Sequence, residues 1–192
     1  MQNRIKRQNK KSRARRFLSF VTNLLIMMTA ALFLVYYVGY PVRQEGFSME
    51  PEIGQQSVVL INRLCYRIRE PQRFDVIAYS LEGEERLQIK RIVGLPGETI
   101  EIRDGKVYAD GEMLKLPCET ASVDIAGRAA EPVLLGRDEY FVLGDNPARS
   151  QDSRFESTGN IRREQITGRA WFYVGSLTEC GFVPGGRVYC EE

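Results

Sequence analysis

The longest apolar run in the chain is FLSFVTNLLIMMTAALFLVYYVGY, Phe17 to Tyr40, 24 residues without a charge. At about 1.5 Å per residue a helix of this length spans roughly 36 Å, enough to cross a bilayer core with some tilt. Tyr36, Tyr37 and Tyr40 cluster at its far end, where interfacial aromatic residues belong. Beyond Tyr40 the pattern shifts to short β-branched or aromatic runs. These predict strands over 58–62 (VVLIN), 74–80 (FDVIAYS), 87–95 (LQIKRIVGL), 99–103 (TIEIR), 106–109 (KVYA), 139–144 (EYFVLG) and 169–174 (RAWFYV). Asp104-Gly105 and Asp110-Gly111 separate such runs and predict tight hairpin turns, and Pro96-Gly97 marks another turn. No run of ten or more residues after Tyr40 has a helical period. Stretch 116–137 reads as a loop excursion and the tail from Leu177 as irregular. The expected fold is mainly β, a folded-over antiparallel sheet or barrel-like domain preceded by one transmembrane helix.

Charge sharpens this division. Residues 1–44 hold nine of the 27 Lys and Arg and no acid, leaving 18 basic against 25 acidic residues in the remainder. A basic head on an acidic body argues against a nucleic-acid partner, which would draw positive charge over the folded surface. The expected organisation is a basic cytoplasmic segment 1–16, a transmembrane anchor 17–40, and an extracytoplasmic domain 41–192. The positive-inside rule places the N-terminus in the cytoplasm and everything after Tyr40 outside, at the cell membrane. A cleaved secretory signal would have a shorter apolar region followed by a small-x-small site. Here the segment is long and closes on Val38, Gly39 and Tyr40 before Pro41, so an uncleaved anchor is expected. At 192 residues and 22.0 kDa there is room for one domain beside it. Cys65, Cys118, Cys180 and Cys190 then face an oxidising compartment, and their spacing fits no zinc pattern. Cys180 and Cys190 could close a small loop, or the thiols could be free and buried.

The chain has no histidine. A serine nucleophile here cannot be activated by imidazole, and the recorded alternative is a lysine. Ser48 lies in GFSMEPEI, between Gly46, whose missing side chain lets backbone and substrate approach closely, and Pro51, which fixes the following turn. Lys90 lies in the apolar strand Leu87–Val93, with Ile92 on its own face and Ile89, Arg91 and Val93 on the other. Holding a lysine neutral at pH 7 costs roughly 3.4 pKa units, about 4.6 kcal/mol, which burial can supply. Taken singly, each feature has a plain alternative: a turn serine, and a solvated strand lysine, since Arg91 beside it shows that cations are cheap on an exposed face.

Three segments carry a resemblance: GFSMEPEI (46–53), QIKRIVGLPGE (88–98) and YFVLGDNPARSQDSR (140–154), joined by RFDVIAY (73–79). Together, and in this order behind an apolar anchor, they resemble type I signal peptidases, membrane-anchored Ser/Lys proteases that remove signal peptides from exported proteins. The spacing is similar to the compact Gram-positive form. The resemblance implies that Ser48 is the nucleophile, with its own N–H as oxyanion donor, and that Lys90 is the general base. It implies that Ser150 orients the lysine amine, and that Asp145, Asp152 and Arg154 brace the site. Gly46, Met49 and Ile89 would line the substrate groove. No metal or cofactor is implied. Two positions depart from the family pattern: Glu52 stands where a threonine is usual, and Pro147 where an arginine is, so one brace is missing or replaced. Glu52 adds a carboxylate expected to alter the groove.

Ser48 lies only eight positions beyond Tyr40, a reach of at most roughly 29 Å, so it is expected near the outer membrane surface. A signal peptide presents its cleavage site there, just past its apolar core. The expected partners are signal-peptide-bearing preproteins and the lipid bilayer. Two other readings stand beside this one: a maturation peptidase dedicated to a few pilin-like or conjugation substrates, and an inactive surface binding protein of the same fold.

Overall fold

A computed structural model describes residues 2–84, 86–117, 122–175 and 179–184, with the side chains of 2–14 excepted. Helix α1 (Gln2–Tyr37) takes up both the basic segment and most of the apolar run. Its stretch Arg15–Tyr37 is long and apolar enough to cross a membrane, and its most apolar part is not buried against the rest of the chain. The helix stops three residues short of the apolar run's end. The N–H groups of Val38 and Gly39 both donate back to the Leu34 carbonyl, and Tyr40 already belongs to the first strand. The Trp171 indole donates to the Val38 carbonyl at 2.7 Å, and the Arg63 N–H to the Tyr37 carbonyl at 2.7 Å. These bonds occupy carbonyls that a helix end leaves without intrahelical partners.

The domain after Tyr37 is mainly β. Its larger sheet joins β1 (Tyr40–Arg43), β2 (Val58–Asn62), β11 (Ile166–Val174), β3 (Val76–Tyr79), β4 (Gln88–Gly94), β9 (Glu139–Leu143) and β10 (Ile161–Arg162) in that order, all antiparallel. Strand β12 (Cys180–Phe182) adds to the C-terminal half of β11, so part of the tail expected to be irregular is paired. Among the described residues nothing pairs β1 with β10, so the sheet is folded over and not closed. A second sheet orders β7 (Glu112–Met113), β6 (Lys106–Ala109), β5 (Thr99–Arg103) and β8 (Val133–Leu134). The β5–β6 and β6–β7 turns carry positive φ at Asp104 and Gly105 and at Asp110 and Gly111, the two-residue hairpin geometry that Asp-Gly favours.

All seven predicted strands form, and β11 begins three residues earlier than its β-branched run suggested. The strands missed are two- to four-residue edge pieces, too short to show alternation. Among its described residues, the expected loop at 116–137 contains only a 3-10 turn at Gly127–Ala130 and strand β8. A short helix, α2 (Cys65–Ile68), is held by the buried Asp75 carboxylate, which accepts from the Tyr66 hydroxyl at 3.0 Å and Arg69 at 3.0 Å and pairs with Arg169 at 2.9 Å. Cys65 and Cys180 are free thiols, whereas Cys118 and Cys190 lie outside the described residues.

Strand β4 is buried on both faces from Ile89 to Gly94, because three apolar clusters meet around it. One gathers Met49, Ile53, Val59, Ile61 and Ile89; another joins Val93, Phe141 and Leu143 to Ile100 and Val107 of the small sheet; the third holds Ile77, Tyr79, Ile92 and Val142. Phe141 is fully buried where the two sheets meet. Phe141→Ala is expected to destabilise the chain by about 3–5 kcal/mol, whereas the exposed Ile125→Ala should cost under about 0.5 kcal/mol. Urea unfolding of the full chain in detergent checks both.

Candidate active site

Position 90 lies within β4, whose neighbours in the sheet are β3 and β9. Lys90 is 5% exposed and Ser48 6%. The Lys90 Nζ donates to Ser48 Oγ at 2.8 Å, across 42 residues of sequence. Burial lowers the lysine pKa to about 8, outweighing the opposing pull of the Asp152 and Asp145 carboxylates. A solvated strand lysine is therefore not what this position holds.

Ser48 sits in a turn between β1 and β2. The Glu50 N–H reaches the Phe47 carbonyl at 3.3 Å, and the Ile53 N–H reaches Met49 at 2.8 Å. Gly46 enters this turn at φ +81°, where an L-residue is strained, although a Cβ there would meet open space. Gly46 lines the groove, so its backbone conformation leaves that side of the turn open. Met49 is fully buried in the core beside Ile53 and Val59 and does not line the groove, which corrects its expected place. It anchors the turn from below. Ile89 does line the groove, while packing into the same core.

The segment 144–154 closes the other side. The Asn146 N–H donates to the Ser48 carbonyl at 3.0 Å, tying this loop to the serine turn. Gly144 is forced to be glycine, since a Cβ would lie 2.4 Å from that same carbonyl and 2.3 Å from Ser150 Oγ. Asp145 receives both Nε and Nη2 of Arg91 at 2.7 Å, a buried bidentate pair. Arg91 thus faces a carboxylate inside the protein and not solvent, and its importance was hidden because alternation assigns no burial to a strand covered on both faces. Asp152 and Arg154 form a second buried pair, at 2.8 and 3.0 Å. Arg154 also donates to the carbonyls of Pro147 at 2.7 Å and Ile125 at 3.0 Å, so Pro147 joins the brace through its backbone. Arg149, two residues on, lies over the Phe47 ring at 4.7 Å.

Two expectations change. The Ser150 hydroxyl is buried without a hydrogen-bond partner, so the bond to Lys90 implied by the resemblance is not made here; the amine is spent on Ser48. Glu52 does not line the groove. Its carboxylate, raised in pKa mainly by burial, faces the Arg91–Asp145 pair from behind the serine turn. One contributor escaped sequence reasoning entirely. Gln44, 3% exposed, donates its side-chain amide to Ser48 Oγ at 3.2 Å. A lone glutamine in an edge strand's exit carries no pattern that could have revealed it.

The serine and lysine open onto a groove of about 320 Å³, walled by residues 44–48 on one side and 86–90 on the other. The exposed pair Glu45–Arg86, at 2.5 Å, bridges the two walls. Against this geometry the sequence comparison is decisive: the family model described as signal peptidase, peptidase S26 matches residues 17–174. The chain belongs to the signal peptidase S26 family. It is accordingly a serine peptidase. Its relatives include signal peptidase I T of Bacillus subtilis (strain 168), 28% identical over 88% of this chain and 91% of that protein. Signal peptidase I V of the same organism is 31% identical over 76% of this chain and 88% of its own length. A solved structure of a signal peptidase I from Enterococcus faecalis V583 aligns at 30% identity and a TM-score of 0.43, covering 53% of this chain and 97% of that one.

The lowered pKa has a stability cost of definite sign. Because the folded amine titrates near 8 and the unfolded one near 10.5, the penalty is fully present below pH 8 and disappears above about pH 10.5. Lys90→Met is expected to stabilise the chain by about 1–3 kcal/mol at pH 7, with the gain shrinking as pH rises toward 10.5. Denaturant midpoints at pH 7 and pH 10 read out both.

Proposed function

We propose that this chain is a membrane-anchored endopeptidase that removes N-terminal signal peptides from exported preproteins after small-x-small sites. Ser48 is the nucleophile and Lys90 the general base. The observation that carries the reading is the buried 2.8 Å contact between them in a family member without histidine. In the reactive form Lys90 is neutral. The Ser48 hydroxyl then donates to the amine lone pair, while the Gln44 amide donates to Ser48 Oγ and fixes its orientation.

A peptide laid in the groove brings its scissile carbonyl carbon to Ser48 Oγ. As the C–O bond forms, the hydroxyl proton passes to Lys90, and the Ser48 N–H faces the developing oxyanion. Lys90 returns the proton to the leaving amine as the peptide bond breaks. A water deprotonated by the same lysine then hydrolyses the acyl-enzyme and regenerates Ser48. The two buried arginine–carboxylate pairs act through position: they hold the 144–154 loop against the serine turn and keep Lys90 screened. We assign residues 1–16 to the cytoplasm, 17–40 to the anchor and 41–192 to the extracytoplasmic peptidase domain. The groove then opens within a short tether of the membrane, where a signal peptide is cut.

The test is cleavage of a signal-bearing preprotein by the detergent-purified chain. Ser48→Ala and Lys90→Ala should each lower kcat/KM at least about 10⁴-fold. The acid limb of kcat/KM should have its midpoint near pH 8, activity rising with pH as Lys90 loses its proton. Gln44→Leu should cut kcat about three- to tenfold with KM unchanged. Residual activity in Ser48→Ala would mean another nucleophile.

A further inference from the structure

A second cleft, of about 420 Å³, lies at the junction of helix and domain, away from the serine. Tyr36 and Tyr37 of the helix end form one wall; Arg63, Tyr66 and Arg67 of the β2–α2 segment and Arg163 before β11 form the others. Among the described residues no carboxylate lines it. Arg163 is braced, donating to the Tyr66 carbonyl and to Glu70 at 3.3 Å. Arg63 and Arg67 have no carboxylate partner among the described residues, whereas Arg69, Arg73, Arg86, Arg91, Arg103, Arg154, Arg162 and Arg169 all do. Their guanidinium groups lie over aromatic rings instead: Arg63 over Tyr40 at 3.9 Å and Tyr36 at 5.2 Å, and Arg67 over Tyr37 at 5.6 Å. Ring stacking orients a guanidinium while leaving its edge N–H donors open. The Tyr66 hydroxyl, bonded to Asp75 at 3.0 Å, keeps the floor fixed.

We propose that this cleft binds the phosphodiester headgroup of an anionic lipid through Arg63 and Arg67. The inference rests on the anchor reading above, because that reading sets the height. The membrane-crossing stretch ends at Tyr37, so residues that wall the cleft at Tyr36 and Tyr37 lie at headgroup level. Guanidinium groups match phosphate oxygens in geometry, and tyrosine hydroxyls supply further donors. A soluble anion is disfavoured, since the body beyond residue 44 carries 25 acids against 18 bases. A lipid held beside the anchor escapes that penalty through its high effective concentration. Its phosphate would bridge α1, β2 and α2, fixing the domain's attitude to the membrane and hence the height of Ser48.

Native mass spectrometry of the full chain released from detergent measures the retained lipid, with phosphatidylglycerol and phosphatidylcholine as probes. The wild type should retain phosphatidylglycerol about tenfold in preference to phosphatidylcholine. Arg63→Gln/Arg67→Gln should lose that preference, while Arg103→Gln/Arg137→Gln, with equal charge loss on the small sheet's side, should keep it. Equal retention of both lipids, equal loss in both double variants, or displacement by millimolar inorganic phosphate would overturn the site. Failure of the wild type to associate with phosphatidylcholine vesicles would overturn the anchor itself, a separate result.

Discussion

A primary amine kept out of water within hydrogen-bonding reach of a serine hydroxyl is the contact on which the rest of this structure depends. Burying a lysine is unfavourable, and the protein tolerates it only because the surroundings cannot relax. Strand β4 is covered on both faces by three apolar clusters, which prevents Lys90 from turning outward. The same burial that opposes stability brings the amine's pKa down to about 8, so under the proposed mechanism stability and chemistry pull in opposite directions at one residue.

The surrounding charges serve this contact without satisfying it. Asp145 and Asp152 would restore the lysine's ordinary basicity if their charge were free to act on it. Each is instead claimed by a guanidinium, from Arg91 and Arg154, at 2.7–2.8 Å. The carboxylates still raise the Lys90 pKa, and burial still prevails. The same two pairs latch the 144–154 loop, whose Asn146 N–H holds the carbonyl of Ser48. Geometry and electrostatics of the site are thus set by one set of bonds. Gly144 is the consequence in sequence: the loop crosses the serine turn so closely that no Cβ fits.

Much of this was legible before the structure. The missing histidine, Ser48 in its turn and Lys90 in an apolar strand pointed to Ser/Lys chemistry, and period-two runs located every strand of five residues or more. Short edge strands such as β7 and β10 were invisible because two residues display no alternation. Arg91 was misread for a related reason: alternation predicts which residues share a face, but not whether both faces are covered. The resemblance placed Met49 in the groove, whereas the turn rotates it into the core. Gln44 and the arginine-lined cleft at the helix end arise from contacts across distant segments, which no local pattern records.

The central claim is that Lys90 is an amine poised near neutrality by burial. Its Nζ titration can be followed directly by NMR on the full chain in detergent, with labelled lysine. The sequence has six lysines, and Lys90→Met assigns the one that matters. The account predicts one resonance titrating near pH 8, absent from the variant. All six titrating together at the ordinary lysine value near 10.4 would contradict it.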